Sequence, residues 1–444
     1  MSLGGQSPDS LSGQKGSIDI EMHLSHACVP VSVPGAVWLL VKLKAASHAV
    51  AARLPLNLAL VLDRSGSMLG EPLDYVKKAA AFVTERLSQQ DVMALITFDD
   101  QVDVLIRPQP LADKDGLRAL IEQITSGGST NLSGGLLRGY QEASSSVATG
   151  RVSRIILLTD GQANVGVTDP HLLAARVAQM VEHGVQVSTL GVGTSFNEDL
   201  LQAVAVAGKG NYYYIKNPDE IPRVFDKEIT GLLSVAAQSV RLSVNGRSGC
   251  GVTKVLRYEP VFSGADASID FPDFYTGETK ALLLEIGYPA LPAGEHRLVD
   301  LRLEYTDALG NLDAIAVDLG INLSATDAES DWSKPNIEVM KTVELTRVAM
   351  AKDQAAQALG KGDFEESQKV LREAHFCLCS TVRDMAPGDA VLREEMASVS
   401  EMIERVAEMP ARGMHYSVAD PSLMDAVKEL KYQSYRERRD RRVK

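Results

Sequence analysis

Five oxygen-bearing side chains follow the predicted ends of three buried strands in this sequence. The segment LNLALVLDRSGSM ends an apolar run at Asp63 and then presents Ser65 and Ser67 two and four positions later. Thr130 lies in the glycine-rich loop GGSTNLSGG, just before a predicted helix, and Asp160 ends the apolar strand RIILLTD. Because ligands collect beyond the carboxyl ends of strands in an open parallel sheet, we expect these side chains to converge.

Hydroxyl and carboxylate oxygens are hard donors, which suit Mg²⁺ better than they suit zinc or copper. Mg²⁺ retains several waters in an octahedral shell of about 2.0–2.1 Å, so a few hydroxyls with one or two carboxylates can hold it. The sequence predicts a Mg²⁺ site, with Mn²⁺ or Ca²⁺ as alternatives, and an exposed carboxylate at Asp63. A cation held largely by neutral hydroxyls keeps much of its charge, which favours a carboxylate supplied by a partner.

The order Asp63-x-Ser65-x-Ser67, Thr130, Asp160 resembles the metal-ion-dependent adhesion site of von Willebrand factor type A domains. More weakly, the flanking strands resemble those of bacterial relatives and of inter-alpha-trypsin inhibitor heavy chains. The resemblance implies that the three hydroxyls ligate the ion, while the two aspartates ligate it directly or through water. It also implies one open coordination position for an acidic side chain of a protein partner.

One alternative interpretation of the same residues is purely structural. Asp63 would cap the turn that follows it, and Asp160 would cap a turn at its own strand end. Ser65 and Ser67 would cap the helix predicted to begin near Glu71. Five such residues in the order of the motif favour the metal site over this alternative.

A second alternative is a Mg²⁺-dependent hydrolase that uses the same ion as a Lewis acid. Such an enzyme needs a base, and the nearest candidates on the second strand are Asp99, Asp100 and Asp103. Asp99 and Asp100 are predicted to lie in a solvated turn. The sequence has no GxxxxGK[ST] phosphate loop, no GxSxG elbow and no HExxH zinc motif. A binding module without catalytic activity is therefore the favoured function.

Composition limits the classes of partner. The 444 residues carry a formal net charge of -13, which argues against nucleic acid as a partner because phosphate binding needs a clustered positive field. No run reaches the roughly 18 apolar residues of a membrane span, and no signal peptide is recognised, so a soluble, cytoplasmic protein is expected. The pattern favours no particular oligomeric state. Cys377 and Cys379 are two apart on a predicted helix, so they point apart and no metal pair is predicted there.

Hydrophobic periodicity predicts the elements that position the site. Residues 55–233, which the type A resemblance covers, alternate strands and helices in the pattern of a doubly wound, Rossmann-like sheet. Period-two strands at 17–50 and 235–325 predict one β-sandwich into which this α/β domain is inserted. Apolar steps of three and four predict a helical hairpin or bundle over 336–410. Residues 411–444 are predicted to be a basic, disordered tail.

The last predicted helix of the α/β segment, at about 218–233, runs into the sandwich strand near Val235. In type A domains this helix can shift when the metal shell changes. The resemblance therefore implies a conformational switch that couples ligand at the site to the orientation of the sandwich. The combined prediction is a metal-dependent module that captures an exposed Asp or Glu of a protein partner.

Overall fold

A computed structural model describes residues 10–47, 54–148, 151–193, 195–310, 313–328 and 334–411, together with 427, 428, 431, 432 and 434. The chain divides into two compact units. One is Ala49–Val235, and the other combines Met1–His48 with Ala236–Lys444.

The secondary structure follows the chain in three blocks. The first block contains β1 (Ser10–Lys15), β2 (Ile18–Leu24), β3 (Cys28–Pro30) and β4 (Gly35–Ala45). The second contains β5 (Leu56–Asp63), α1 (Glu71–Arg86), β6 (Val92–Phe98), β7 (Val102–Pro110), α2 (Lys114–Glu122), α3 (Leu132–Ser144), β8 (Val152–Thr159), α4 (Pro170–Glu182), β9 (Val185–Val192), α5 (Glu198–Ala207), β10 (Lys209–Ile215) and α6 (Ile221–Leu232). The third contains β11 (Val235–Gly246), β12 (Gly251–Leu256), β13 (Pro260–Ser263), β14 (Asp266–Asp270), β15 (Phe274–Tyr275), β16 (Thr279–Tyr288), β17 (Gly294–Asp307), β18 (Ala314–Thr326), α7 (Ile337–Gly360), α8 (Phe364–Asp384) and α9 (Ala390–Ala411).

The α/β unit is built on one sheet with the strand order β10-β9-β8-β5-β6-β7. Neighbouring strands are parallel except β7, which is antiparallel to β6 and forms one edge. Every residue of β5 and of β8 is buried, because helices cover both faces of the sheet. The predicted Rossmann-like α/β fold is confirmed, and its central strands β5 and β8 are the ones that carry the aspartates of the motif.

The other unit contains two sheets that mix strands from both ends of the chain. The first sheet has the order β1-β2-β4-β16-β12, and the second has the order β13-β14-β11-β17-β18-β3, with β15 paired to β11. The pairing of β4 with β16 runs antiparallel from Gly35 opposite Tyr288 to Lys44 opposite Thr279. One apolar core takes side chains from both sheets, which explains the period-two pattern of the sequence.

The helices α7, α8 and α9 share an apolar core of their own, as the steps of three and four predict. Val339 and Val343 of α7 also pack against Leu40 and Leu283 of the first sheet. Among the helices of the described part of the chain, none is both long and apolar enough to cross a membrane.

The predicted disorder after residue 411 is wrong for the residues that the structure describes there. Val427 packs against the helical core, and the buried Ser434 hydroxyl donates a hydrogen bond to the Ala349 carbonyl at 2.8 Å. This return of the chain onto α7 depends on tertiary contacts that no local pattern shows. The rest of the predicted tail, including its most basic stretch after 434, lies outside the described residues.

Candidate metal centre

Backbone hydrogen bonds fix the loop after β5 against the loop before α3. The Gly66 amide donates to the Gly128 carbonyl at 2.9 Å, and the Gly127 amide donates to the Arg64 carbonyl at 2.7 Å. These bonds use main-chain groups only, so they do not involve the side chains of the site. The loop that carries Ser65 and the loop that carries Thr130 are thereby held next to each other.

The glycines of the second loop allow a close approach to the turn after β6. A Cβ at Gly127 would lie 1.8 Å from Asp99 Oδ2, and one at Gly128 would lie 2.3 Å from Asp100 Oδ1. Asp99 is only 5% exposed, so its predicted place in a solvated turn is wrong, whereas Asp100 is exposed as predicted. Asp99 accepts a hydrogen bond from the Gln101 amide at 2.7 Å and lies 3.2 Å from Nε of Arg64. The Asp99 carboxylate thus connects the turn after β6 to Arg64 in the loop after β5.

Four of the five predicted site residues are joined by short contacts. The Ser67 hydroxyl donates to Asp160 Oδ1 at 2.6 Å, and its oxygen lies 3.1 Å from Ser65 Oγ. Asp63 Oδ1 accepts the Ser65 amide at 2.7 Å, while Asp63 Oδ2 accepts the Thr159 hydroxyl. The ends of β5 and β8 thus bring two carboxylates and two serine hydroxyls into one group.

Thr130, the fifth predicted residue, approaches the same group over Gly161. A Cβ on Gly161 would lie 2.9 Å from Thr130 Oγ1 and 3.4 Å from Ser67 Oγ, so both hydroxyls border the space above this glycine. Asn164 fixes the Thr130 backbone from both sides. The side-chain Oδ1 of Asn164 accepts a hydrogen bond from the Thr130 backbone amide at 2.9 Å, and the Asn164 backbone amide donates to the Thr130 carbonyl at 3.2 Å.

The capping alternative is wrong for the two serines. Helix α1 has Gly70 as its N-cap and no side-chain capping bond, and the 3₁₀ turn Gly66–Met68 also lacks one at Ser65. Ser67 instead bonds to a carboxylate that is 93 positions away. Asp63 does satisfy a turn amide, but its second oxygen faces Thr159. The serines are therefore directed toward a shared centre.

Burial sets the electrostatics of the two carboxylates. Asp63 is fully buried, so the expectation of an exposed carboxylate there is wrong. Burial raises the pKa of Asp63 to about 6, although hydrogen bonds from Thr159 and Ser65 act in the opposite direction. Burial also raises the pKa of Asp160. Ser67 is exposed, so the group opens to solvent at that side chain.

The donors fit a hard dication. Two carboxylates and three hydroxyls supply only oxygen atoms, and a positive ion among them would offset the cost of burying negative charge. Within the described ranges, no group of three or more His, Cys, Asp or Glu side chains is placed to hold a metal.

Two further residues of this centre, Thr159 and Asn164, have no place in the sequence motif. Thr159 is aligned with Asp63 by the parallel register of β8 and β5, in which Leu158 lies opposite Leu62. Its polar side chain at the end of an apolar strand is a weak signal that sequence reasoning passed over. Asn164 lies in an irregular loop, where no periodicity indicates which residue faces Thr130.

Comparison with known proteins identifies similar chains. The sequence model of the von Willebrand factor type A domain matches residues 57–227, which include all five site residues. An uncharacterized protein of Synechocystis sp. is 30% identical over 334 residues, covering 72% of this chain and 78% of that protein. Inter-alpha-trypsin inhibitor heavy chain H3 of Mesocricetus auratus is 30% identical over 166 residues, covering 35% of this chain and 19% of that protein.

Two solved structures share the fold over most of the chain. A von Willebrand factor type A protein from Catenulispora acidiphila has a TM-score of 0.68 at 17% identity, covering 84% of this chain and 90% of that one. The ArnB paralog VWA2 from Sulfolobus acidocaldarius has a TM-score of 0.61 at 18% identity, covering 94% of this chain and 98% of that one. These likenesses extend well beyond the α/β unit.

Proposed function

We propose that this chain, which belongs to the family of proteins with a von Willebrand factor type A domain, is a divalent-metal-dependent protein-binding module. Such domains are commonly protein-interaction modules. The observation that carries the proposal is the contact between Ser67 and Asp160, which brings hydroxyl and carboxylate oxygens from two strand ends to one point.

The residues proposed to hold the ion are those of the motif. Ser65, Ser67 and Thr130 would contribute neutral hydroxyl oxygens, while Asp63 and Asp160 would contribute carboxylates directly or through water. Mg²⁺ is the preferred ion on the hardness of the donors, with Mn²⁺ and Ca²⁺ as alternatives. When bound, the ion supplies a positive charge that the protein only partly neutralises.

The proposed partner is a protein with an exposed Asp or Glu. The exposed Ser67 marks the side of the centre that faces solvent, and it is therefore the side from which an outside carboxylate would approach. The hydrolase alternative gains no support from the geometry. Asp99, one of its candidate bases, is buried, accepts a hydrogen bond from the Gln101 amide and lies close to Arg64.

We further propose that α6 is the element that responds to the site. The buried Glu228 of α6 accepts hydrogen bonds from Ser188 at 2.5 Å, from Asn211 at 2.8 Å and from Tyr213 at 2.8 Å. These three partners lie on β9 and β10, so any shift of α6 must break a defined set of bonds. The proposed switch moves α6 between this state, in which Glu228 keeps its three bonds, and a second state in which it has released them.

The test of the proposed function is capture that depends on both the metal and the motif. Immobilised wild-type protein should retain a partner from a lysate in Mg²⁺ and release it in chelator. The double variant Ser65→Ala, Ser67→Ala should retain none. In the retained protein, changing the contacting acid to its amide should abolish capture. Retention that persists in chelator, or in the double variant, would exclude the proposed mechanism.

A further inference from the structure

A second group of metal-ligating side chains lies between α8 and α9, in the unit that does not contain the first centre. Cys379 Sγ is 3.6 Å from His375 Nδ1 and 3.4 Å from Met396 Sδ. His375 and Cys379 are four residues apart on α8, which places them on one face of the helix. Met396 reaches the same point from α9. An imidazole nitrogen and a thioether sulfur, which are borderline and soft metal donors, therefore lie within 3.6 Å of the Cys379 thiol sulfur.

The separations match those between ligands that share an ion. With a metal–sulfur distance of about 2.3 Å and a metal–nitrogen distance of about 2.1 Å, a 3.6 Å separation corresponds to an angle of about 110° at the metal. By the same measure, the 3.4 Å between the two sulfurs corresponds to about 95°. The first angle is tetrahedral and the second is about 15° smaller. The Cys379 sulfur also lies 3.8 Å from His375 Nε2, so a turn of the imidazole ring is needed to direct Nδ1 at an ion shared with the sulfur.

The nature of the donors selects the ion. Thiolate and thioether sulfur favour Cu(I), whereas carboxylate and hydroxyl oxygen favour Mg²⁺ and Ca²⁺. Zinc sites use Cys, His and carboxylate ligands, and this group has only two ligands of those kinds together with a thioether. We propose that Cys379, His375 and Met396 form a binding site for one Cu(I) ion.

The surroundings of the group fit a soft ion as well. Met396 packs against the apolar core of the helices, which includes the buried Leu378 and Val399. Cys379 is only partly buried, so an ion can reach the sulfur from solvent. Apolar packing on one side shields the site and protects a thiolate-bound ion from competing water.

Binding of Cu(I) at Cys379 leaves the net charge of the site unchanged, because one positive ion replaces one proton. The Cys379 sulfur exchanges its proton for Cu(I), so one S–H bond breaks, one Cu–S bond forms and one proton is released to solvent. The copper stays in the +1 state and no oxidant or reductant takes part. The site would also link α8 to α9 through the metal, in addition to their apolar contacts.

The chain provides its own matched control for an experiment. Cys377 is exposed and lies two residues from Cys379, on a different side of α8, so both thiols can be changed in the same way. The full chain is titrated with Cu(I) in competition with bicinchoninate under anaerobic conditions, and thiolate-to-copper absorption is followed in parallel. Circular dichroism and thermal melts establish that each variant is folded.

The wild type and Cys377→Ser are expected to bind one equivalent with the same affinity. Met396→Leu keeps the packing volume and should weaken binding about tenfold, and Cys379→Ser should weaken it by at least about 100-fold and remove the absorption. The proposal is overturned if Cys379→Ser binds like the wild type, if Cys377→Ser loses binding, or if the wild type takes no copper from the competitor. None of these outcomes depends on the Mg²⁺ site, so the two proposals fail separately.

Discussion

Ser67 donates its hydroxyl proton to Asp160 Oδ1 at 2.6 Å across 93 positions of sequence. The bond forms because β5 and β8 pair in parallel, with Leu62 opposite Leu158, and so end side by side. Neither residue lies inside a strand, yet the register of the strands sets the distance between them. The arrangement of the site is thus a consequence of sheet topology.

Thr130 provides the sharpest test of the ligand set, because an exposed serine precedes it in the same loop. Thr130→Val keeps the shape of the side chain and removes only the hydroxyl. We expect Mg²⁺ affinity, measured by isothermal titration calorimetry, to fall at least about tenfold. Loss of a residue that only orients a metal ligand already costs about this much, and Thr130 is proposed to bind the ion directly. Ser129→Ala, at the exposed neighbour, should leave affinity unchanged. Equal affinities for the two variants would remove Thr130 from the site.

Asn164 is expected to act on the metal through Thr130. Asn164→Ala removes the acceptor of the Thr130 amide and frees the loop that carries the hydroxyl. Loss of a residue that orients a metal ligand typically lowers metal affinity by about 10 to 100-fold. We expect the lower end here, because the backbone amide of residue 164 still bonds to the Thr130 carbonyl in the variant. Gln162→Ala, an exposed change in the same loop, is the control. Calorimetry that ranks the two variants equally would contradict this role.

The parts of the centre that the sequence predicts are those set by local pattern. Asp63, Ser65 and Ser67 follow one strand directly, and an apolar strand that ends in an aspartate identifies Asp160. The burial of Asp99 could not be predicted, because it depends on Gly127 arriving from another loop. The contact of Cys379 with Met396 likewise depends on how two helices pack. Periodicity defines faces of elements, but it does not define which residues of two faces touch.

Stability of the metal-free protein should depend on pH through Asp63. Its folded-state pKa is raised from 3.8 to about 6, so the folded protein binds the proton more tightly than the unfolded chain. The stabilising contribution is fully present below pH about 4 and is lost as pH rises through about 6. The raised pKa corresponds to about 3 kcal/mol of unfolding free energy.

Urea unfolding in chelator at a series of pH values measures this loss. Asp63→Asn cannot ionise, so its unfolding free energy should fall less than that of the wild type between pH 4 and pH 7. Saturating Mg²⁺ should restore wild-type stability at pH 7 and leave Asp63→Asn unchanged, because binding to the folded state alone adds stability by mass action. Parallel pH profiles for the two proteins would show that Asp63 is not the titrating group.

The attachment of α6 can be tested at Glu228 with a control on the same helix. Glu228→Gln replaces an acceptor of three hydrogen bonds by an amide that brings its own donor toward Asn211 and Tyr213. The expected cost is about 1–3 kcal/mol of unfolding free energy, since buried polar groups lose their partners. Asp226→Asn changes an exposed ion pair with Arg86 and should cost less than about 1 kcal/mol.

Hydrogen exchange separates a loosened helix from a general loss of stability. If Glu228 holds α6 in place, the amides of Ile221–Leu232 should exchange faster in Glu228→Gln under native conditions, while those of β5 and β8 keep their protection relative to global stability. Asp226→Asn should exchange like the wild type. A uniform increase across the whole α/β unit would mean that Glu228 contributes to stability alone, and the proposed switch would then lose its structural basis.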